Sequence, residues 1–192
     1  MKTAKVRLKS ASPYAQGRHY ANEVPKLNKE GADAYEQRTW VNRLHTTTEG
    51  KVLIPPFAFK NALDDAAKFL GEQIPGKGKS TYTKHFQAGV MVLDPMVLKT
   101  HKDDVRKEAR FVPADGKPGS GKRVMKYFPV IDSWEGEVEF LVLDDTITLP
   151  VLEHHLKQAG QFIGLGVSRP RNRGVYGRFI VEKVEWKDSA TV

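Results

Sequence analysis

The chain has 192 residues, a formal net charge of +8 at pH 7 and no cysteine, which excludes disulfides and thiolate metal sites. Its 40% hydrophobic and 28% charged residues are typical of a globular protein, and no apolar run approaches the roughly 18 residues of a membrane span. The 31 Lys and Arg against 23 Asp and Glu favour a polyanionic partner, although a basic surplus also serves solubility.

The length fits a single domain over residues 1–192. The first residues lack the continuous apolar core of a signal peptide, so we expect a cytoplasmic protein with no membrane partner. Apolar and basic residues alternate over residues 4–10, which predicts a first strand with Lys5, Arg7 and Lys9 on a positive solvent face.

Proline and glycine then interrupt the strand pattern, and Tyr14, Arg18 and His19 stand together in the loop that follows. A histidine near a cation and a phenol is the set that metal-independent RNA cleavage uses. It equally suits a loop that only contacts RNA, and we favour this second interpretation for His19 because one histidine in a basic loop is a weak signal.

The middle of the chain predicts a hairpin, a helix and a long insertion. Residues 39–48 are rich in β-branched and aromatic types and precede a turn at 49–50, so they are expected to pair with residues 51–54. An apolar helical face over residues 57–71 ends at a glycine and predicts a helix. A loop over 75–84 and a strand near 90–93 follow, and the Gly- and Lys-rich stretch 99–126 is expected to be a partly flexible basic insertion.

The last third predicts strands at 127–131 and 134–143, a helix from Thr148 to Gly160 and a final strand over 176–186. Strand, helix and strand thus occur twice, which is the pattern of a ferredoxin-like, RRM-related α+β fold. We expect an antiparallel sheet with helices on one face and long basic loop insertions.

A glycine- and arginine-rich segment over residues 164–178 separates the second helix from the last strand. Its glycines, including Gly164, Gly166 and Gly174, would let another backbone approach closely, and its arginines offer forked donors to anions. The segment can hold a phosphodiester chain, or it can be a basic hairpin loop whose glycines only satisfy turn geometry.

Other motifs favour neither nucleotide nor metal chemistry. Residues 116–123 nearly fit a phosphate-binding loop, but Arg123 replaces the hydroxyl that would ligate magnesium and no helix is expected after it. His154 and His155 are adjacent on a predicted helix and point about 100° apart, so they cannot share one ion there. We expect no cofactor and no metal.

Short motifs across the chain resemble the RAMP superfamily of CRISPR-associated RNA-binding proteins. The likeness rests on a basic first strand ending at Ser12-Pro13-Tyr14, on residues 51–55 leading into a helix at Phe59-Lys60-Asn61, and on the glycine-rich segment 164–177. The helix junction is most similar to a small crRNA-binding, Cas-seven-like backbone subunit.

That resemblance implies a ferredoxin-like core that contacts guide RNA, together with other subunits of an effector complex or further copies of the chain. It implies stacking on RNA bases by Tyr14 or Tyr176. It also implies phosphate contacts from five basic residues: Lys60, Arg169, Arg171, Arg173 and Arg178. The function expected is binding of single-stranded RNA without catalysis. Two alternatives stay open, a metal-independent crRNA-processing endoribonuclease using His19 and a subunit-like decoy or adaptor acting through protein contacts.

Overall fold

A four-stranded antiparallel sheet with helices on one face organises the computed structural model, which describes residues 1–20, 23–114, 119 and 121–188. The strands are β1 (Lys2–Ser10), β2 (Tyr14–Ala15), β3 (Lys51–Ile54), β4 (Val90–Val92), β5 (Met96–His101), β6 (Arg106–Pro113), β7 (Arg123–Ile131), β8 (Glu135–Val142) and β9 (Phe179–Asp188). The α-helices are α1 (Ala32–Thr39), α2 (Pro56–Leu70), α3 (Thr83–Gly89) and α4 (Leu149–Gln158). Within these described ranges, no helix is long and apolar enough to cross a membrane.

The main sheet has the order β4-β8-β1-β9, with antiparallel neighbours throughout. The chain passes from β1 through α2 to β4, and from β8 through α4 to β9, so the connectivity is a doubled strand-helix-strand unit. This is the ferredoxin-like arrangement expected from the sequence. Both helices pack on the same side of the sheet and contact each other.

The core is formed by the apolar residues that alternate with polar ones along the strands and by the apolar face of α2. Val6 and Leu8 of β1 are fully buried, as are Phe140 of β8 and Leu63 of α2. Pro56 begins α2, where its missing N–H costs no hydrogen bond, and Gly71 ends the helix in the left-handed conformation that glycine tolerates. The helix predicted over 57–71 is therefore confirmed.

The second helix continues beyond its predicted end at Gly160. A π-helical turn at Ala159–Ile163 follows α4, and the N–H of Gly164 donates to the carbonyl of Ala159. Gly160 packs against the backbone of Phe179 at the beginning of β9. This glycine thus permits a close helix-to-strand contact instead of ending the helix.

The basic insertion expected at 99–126 carries regular structure over much of its length. β6 and β7 form an antiparallel ladder from the pair Arg106 and Val130 to the pair Pro113 and Arg123, and β2 extends this sheet beside β7. Residues 115–118 and 120 lie outside the described part of the chain. Apart from that tip, the stretch contains a paired hairpin where a loop was expected.

The strand predicted over 39–48 is wrong for its first half. Residues 32–39 form α1 and Trp40–Arg43 form a 3₁₀ turn, and pairing with β3 is limited to the bridge between Thr46 and Val52 and adjacent hydrogen bonds. The hydroxyls of Tyr20 and Thr39 are 2.7 Å apart in a buried contact. Tertiary packing of this kind outweighs the strand propensity of β-branched residues.

The open face of the main sheet is neutralised. Lys5 lies 2.7 Å from Glu137, and Lys9 lies 2.7 Å from Glu182 across the neighbouring strand. Arg7 contacts the same Glu182 at 3.3 Å. The positive row expected on β1 is therefore matched by carboxylates on both neighbouring strands, which leaves Lys5, Arg7 and Lys9 less free to bind phosphates.

A buried histidine makes the stability depend on pH. His155 is fully buried, its Nδ1 lies 2.8 Å from the carbonyl oxygen of Val151, and its ring lies 4.3 Å from that of Phe86. Burial lowers the pKa of His155 below its usual value of 6.5, although the bond to Val151 opposes this. The folded state therefore holds the ring neutral at pH values where the unfolded chain is already protonated.

We expect the stability of the wild-type protein to fall as the pH drops below about 6.5, by up to about 1.4 kcal/mol per pH unit from this group. His155→Phe should remove that part of the slope, because phenylalanine keeps a ring against Phe86 and does not titrate. Urea unfolding between pH 7 and 5 measures it. Parallel pH profiles for the two proteins would contradict this assignment.

Candidate nucleic-acid interface

A cleft of about 400 Å³ brings together the three stretches of chain that the sequence singled out. Its lining comes from the loop around β2, from the junction between β3 and α2, and from the glycine- and arginine-rich segment: Tyr14, Gln16, Gly17, Arg18, His19, His45, Pro55, Phe57, Ala58, Asn61, Gly166, Val167, Arg169 and Asn172. Two arginines and two histidines belong to this lining, and no carboxylate of the described residues does. The cleft is thus suited to an anion.

Gln16 fixes the first wall of the cleft. Its buried side chain donates to the carbonyl of Leu53 at 2.8 Å and accepts from the N–H of His45 at 2.6 Å. These bonds tie the loop after β2 to β3 and to the residues before it. His45 is half-buried, and burial together with the nearby positive Arg18 lowers its pKa, so the ring is neutral at pH 7.

The beginning of α2 supplies an aromatic side chain to the cleft. Phe57 is 56% exposed, and its ring lies 5.8 Å from the ring of His45 in an edge-to-face arrangement. Asn61 lies one helical turn further on the same face. An exposed aromatic ring beside amide and imidazole groups can stack a base and bond to its edge.

Arg169 of the glycine-rich segment lines the opposite side of the cleft, and together with Arg171 and Arg173 of the same segment we call it the arginine wall. Arg169 lies 3.1 Å from Asp65 of α2 and donates to the carbonyl of Gly164 at 3.5 Å, and Arg171 approaches the same carboxylate at 3.1 Å. Arg173 is exposed, and its side chain makes no hydrogen bond or ion pair with a described residue. One carboxylate thus orients two guanidinium groups, whose remaining donors can reach an anion.

The glycines of this segment pack against protein. A Cβ on Gly166 would overlap the carbonyl of Ala15 and the ring of Tyr14, and one on Gly174 would overlap the backbone of Ser168. At Gly164 a Cβ would crowd the ring of Pro170. The expectation that these glycines admit an RNA backbone is therefore corrected, because neighbouring protein atoms already fill the space beside each of them.

Two further predicted contacts are corrected by burial or by pairing. Tyr14 is 2% exposed and packs edge-to-face on Trp134 at 6.3 Å, so its ring offers no free face to a base. Lys60 points toward α3, where its ammonium group pairs with Asp64 at 2.5 Å and donates to the carbonyl of Gln87 at 3.1 Å. Neither residue has the freedom that an RNA contact requires.

Tyr176 belongs to a stack of alternating aromatic and arginine side chains that joins the β6–β7 hairpin to the segment. The members are Tyr20, Arg43, Phe128, Arg110 and Tyr176, with guanidinium carbons 4.4–5.3 Å from successive ring centres. The Tyr176 hydroxyl donates to Glu108 at 2.9 Å. Burial alone would raise the pKa of Glu108, but bonds from Arg110, Tyr176 and Arg106 hold the pKa below its ordinary value.

Tyr176 is thus a structural residue with one ring face already covered, which corrects the expected stacking on RNA.

Arg178 lies apart from the cleft, and its Nε donates to the carbonyl of Gln161 at 3.1 Å. Of the predicted RNA contacts, Arg18, His19, Gly166 and Arg169 line the cleft, and Arg171 is joined to it through Asp65. Tyr14 lines it as well, with its ring held in the core.

The cleft also contains residues that were not among the predicted RNA contacts, namely Gln16, His45, Phe57 and Asn61. The four-residue spacing of Phe57, Asn61 and Asp65 on the polar face of α2 is a signal that could have found part of this set. Among the described residues, no group of three or more His, Asp or Glu side chains could hold a metal ion. The chemistry available in the cleft is therefore anion binding, stacking and proton exchange at two histidines.

No family model matches the sequence, and no curated protein matches it. Solved structures share its fold. Crystalline Cmr6 from Pyrococcus furiosus aligns with a TM-score of 0.50 and 13% identity over 94% of this chain and 99% of that chain.

A chain of the Type III-B Cmr-beta complex bound to cognate target RNA, determined by cryo-EM, aligns with a TM-score of 0.53 and 9% identity. The alignment covers 96% of this chain and 60% of that longer chain. At such identities the likeness shows the fold alone. The ferredoxin-like fold of this chain is therefore shared with Cmr6 and with a chain of the Cmr-beta complex.

Proposed function

We propose that the protein is a non-catalytic RNA-binding subunit of a CRISPR-type ribonucleoprotein complex and that it holds single-stranded guide RNA in the cleft. The observation that carries the proposal is the lining itself, which combines two arginines, two histidines and an exposed phenylalanine without a carboxylate. Arginine with aromatic side chains is the combination that binds single-stranded nucleic acid without reading its sequence.

A second groove supports an extended path for the RNA. It has a volume of about 500 Å³, lies between the β6–β7 hairpin and the glycine-rich segment, and shares Val167 and Asn172 with the cleft. Arg123 and Lys126 line it, and none of its described lining residues is acidic. RNA leaving the cleft over these shared residues would meet further positive charge.

The part of the proposal that places this protein in an effector complex is supported by the fold that it shares with Cmr subunits. The Cmr-beta chain that it resembles was determined in a complex bound to target RNA, and a subunit of that kind would bring its own RNA-binding surface to such an assembly. Other subunits, or further copies of this chain, are the protein partners that we propose.

A second candidate function has one specific observation in its favour. His19 and His45 both line the cleft, beside Arg18. A neutral histidine can accept a proton from a ribose 2′-hydroxyl while a guanidinium stabilises the charge that develops on phosphate. This arrangement would cleave RNA without a metal ion.

One experiment tests both functions. Purified protein is incubated in EDTA with labelled single-stranded RNA and, separately, with the duplex of the same sequence, and binding is followed by fluorescence anisotropy and RNA length by gel. We expect the single strand to bind at least about tenfold more tightly than the duplex, because stacking on Phe57 needs an unpaired base, and to be recovered intact. Cleavage that His19→Ala abolishes would establish the second function instead, and absence of binding to either RNA would overturn the first.

A further inference from the structure

The geometry points to a second base-stacking site on α2, formed by Phe69 with Phe162, so that single-stranded RNA leaving the cleft runs along the exposed face of this helix. This inference rests on the proposed function, since it extends the same RNA path. The two rings lie 5.6 Å apart and are 58% and 43% exposed. They form an aromatic surface outside the cleft.

A row of solvent-facing residues on α2 connects the cleft to this pair. Phe57, Asn61, Asp65 and Phe69 follow one another at four-residue intervals, so the row turns by about 120° around the solvent-facing side of the helix from its first to its last member. From Phe57 to Phe69 the helix rises about 18 Å, which several nucleotides of an extended strand would span. We call this row the α2 strip.

Arg169 links the two ends of the α2 strip. The residue lines the cleft, pairs with Asp65 one turn before Phe69, and donates to the carbonyl of Gly164 two positions after Phe162. The aromatic pair is therefore the continuation of the arginine wall.

The charge along the α2 strip favours a polyanion. Its one carboxylate, Asp65, is paired with both Arg169 and Arg171. Lys68, next to Phe69, is exposed and makes no ion pair with a described residue. Phosphates following the helix would therefore meet cationic groups between the two aromatic positions.

RNA suits the α2 strip better than a protein partner does. The buried centre of a protein interface is depleted in charge, whereas this row has a carboxylate at its middle, paired there with Arg169 and Arg171, and aromatic rings at its ends. Alternation of cationic and aromatic groups is the pattern of a surface for single strands.

Oligouridines of two lengths test the inference in the whole protein. An RNA of about 4 nucleotides fills the cleft alone, whereas one of about 12 also reaches the far end of the α2 strip. We expect Phe69→Ala with Phe162→Ala to weaken binding of the longer RNA about tenfold or more and to leave the shorter one within about twofold. Phe69→Trp, in place of the alanine at that position, should restore the affinity for the longer RNA. Leu93→Ala, which removes a side chain that is 61% exposed elsewhere on the protein, should change the affinity for neither RNA.

A series of 12-nucleotide RNAs with a single abasic position identifies the stacked base. At that position the wild-type protein should lose the same affinity that the double alanine variant loses, and the two losses should not add. Equal affinity of wild type and double variant for the longer RNA would overturn the α2 strip as an RNA path and leave a protein partner as its occupant. Failure of the wild type to bind either length would instead overturn the proposed function.

Discussion

Neutralising the arginine wall should reduce RNA affinity about 100-fold near 0.1 M salt. The variant Arg169→Gln, Arg171→Gln, Arg173→Gln removes two guanidinium groups held by Asp65 and one that is free among the described residues. Each phosphate contact to a single strand contributes about 0.7 to the salt slope, so three contacts lower it by about two units. Anisotropy titrations from 50 to 300 mM salt measure both quantities.

A matched variant distinguishes RNA binding at the cleft from binding that depends only on the net charge of the protein. Lys5→Gln, Arg7→Gln, Lys9→Gln also removes three positive charges, but from the open face of the main sheet, where they pair with Glu137 and Glu182. We expect this variant to keep its affinity within about threefold and its salt slope within about half a unit, because those cations are already neutralised. Equal losses in the two variants would show that binding follows overall charge and would contradict the cleft as the site.

The elements of the core can be predicted from the periodicity of apolar residues in the sequence, whereas the elements around the core cannot. β1, α2, β8 and α4 each show an uninterrupted apolar pattern that the sheet and helices then bury together. α1 has no such pattern, since it buries only Tyr35 and Thr39. Its helix depends on distant contacts, which a local pattern cannot reveal.

The hairpin of β6 and β7 could not be predicted from the sequence, because the amino-acid composition of this stretch is typical of a loop. The glycines, proline and lysines near its tip are typical of a loop, while the pairing itself depends on residues far apart in sequence, such as Arg106 and Val130. Cation–π contacts stabilise the position of the hairpin, since the guanidinium carbons of Arg43 and Arg110 lie 5.2 and 5.3 Å from the ring centre of Phe128. Neither arginine carried a signal in the sequence, because charged residues in strands and turns usually face solvent.

The stretches of chain that meet in the cleft could be singled out from the sequence, and the availability of their side chains could not. Three separate stretches were singled out, and the fold brings them to one cleft. The resemblance implied RNA contacts from Lys60 and Tyr14, but only the structure shows that Lys60 is paired with Asp64 and that Tyr14 is buried. Charge and aromaticity identify what a side chain can bind, whereas its availability depends on its neighbours.

The role of a glycine is difficult to predict from sequence, because a missing side chain can serve a ligand, a turn or a packed neighbour. Gly160 was interpreted as a helix end, yet the helical chain continues to Ile163, and the glycine lies against the carbonyl of Phe179. This contact sets where β9 begins relative to α4 and therefore fixes both ends of the intervening segment that lines the cleft.

Gly160→Ala should therefore destabilise the protein by about 3 kcal/mol, although alanine is the better helix former by about 1 kcal/mol. The added methyl group would overlap the Phe179 carbonyl, which belongs to the backbone and cannot rotate away. We expect Tm to fall by roughly 6–12 °C. Differential scanning calorimetry and urea unfolding measure the change, and RNA affinity should fall in the surviving folded protein because the arginine wall shifts with β9.

Two other glycines provide the controls for this variant. Gly31→Ala, at the N-cap of α1 with ordinary backbone angles and open space beside it, should cost no more than about 1 kcal/mol. Gly71→Ala also meets open space but has a φ of 58°, so it should cost about 1 kcal/mol from backbone conformation alone. If Gly160→Ala proved neutral or stabilising, helix propensity would outweigh the contact with Phe179, and the position of β9 would have to depend on its pairing with β1 alone.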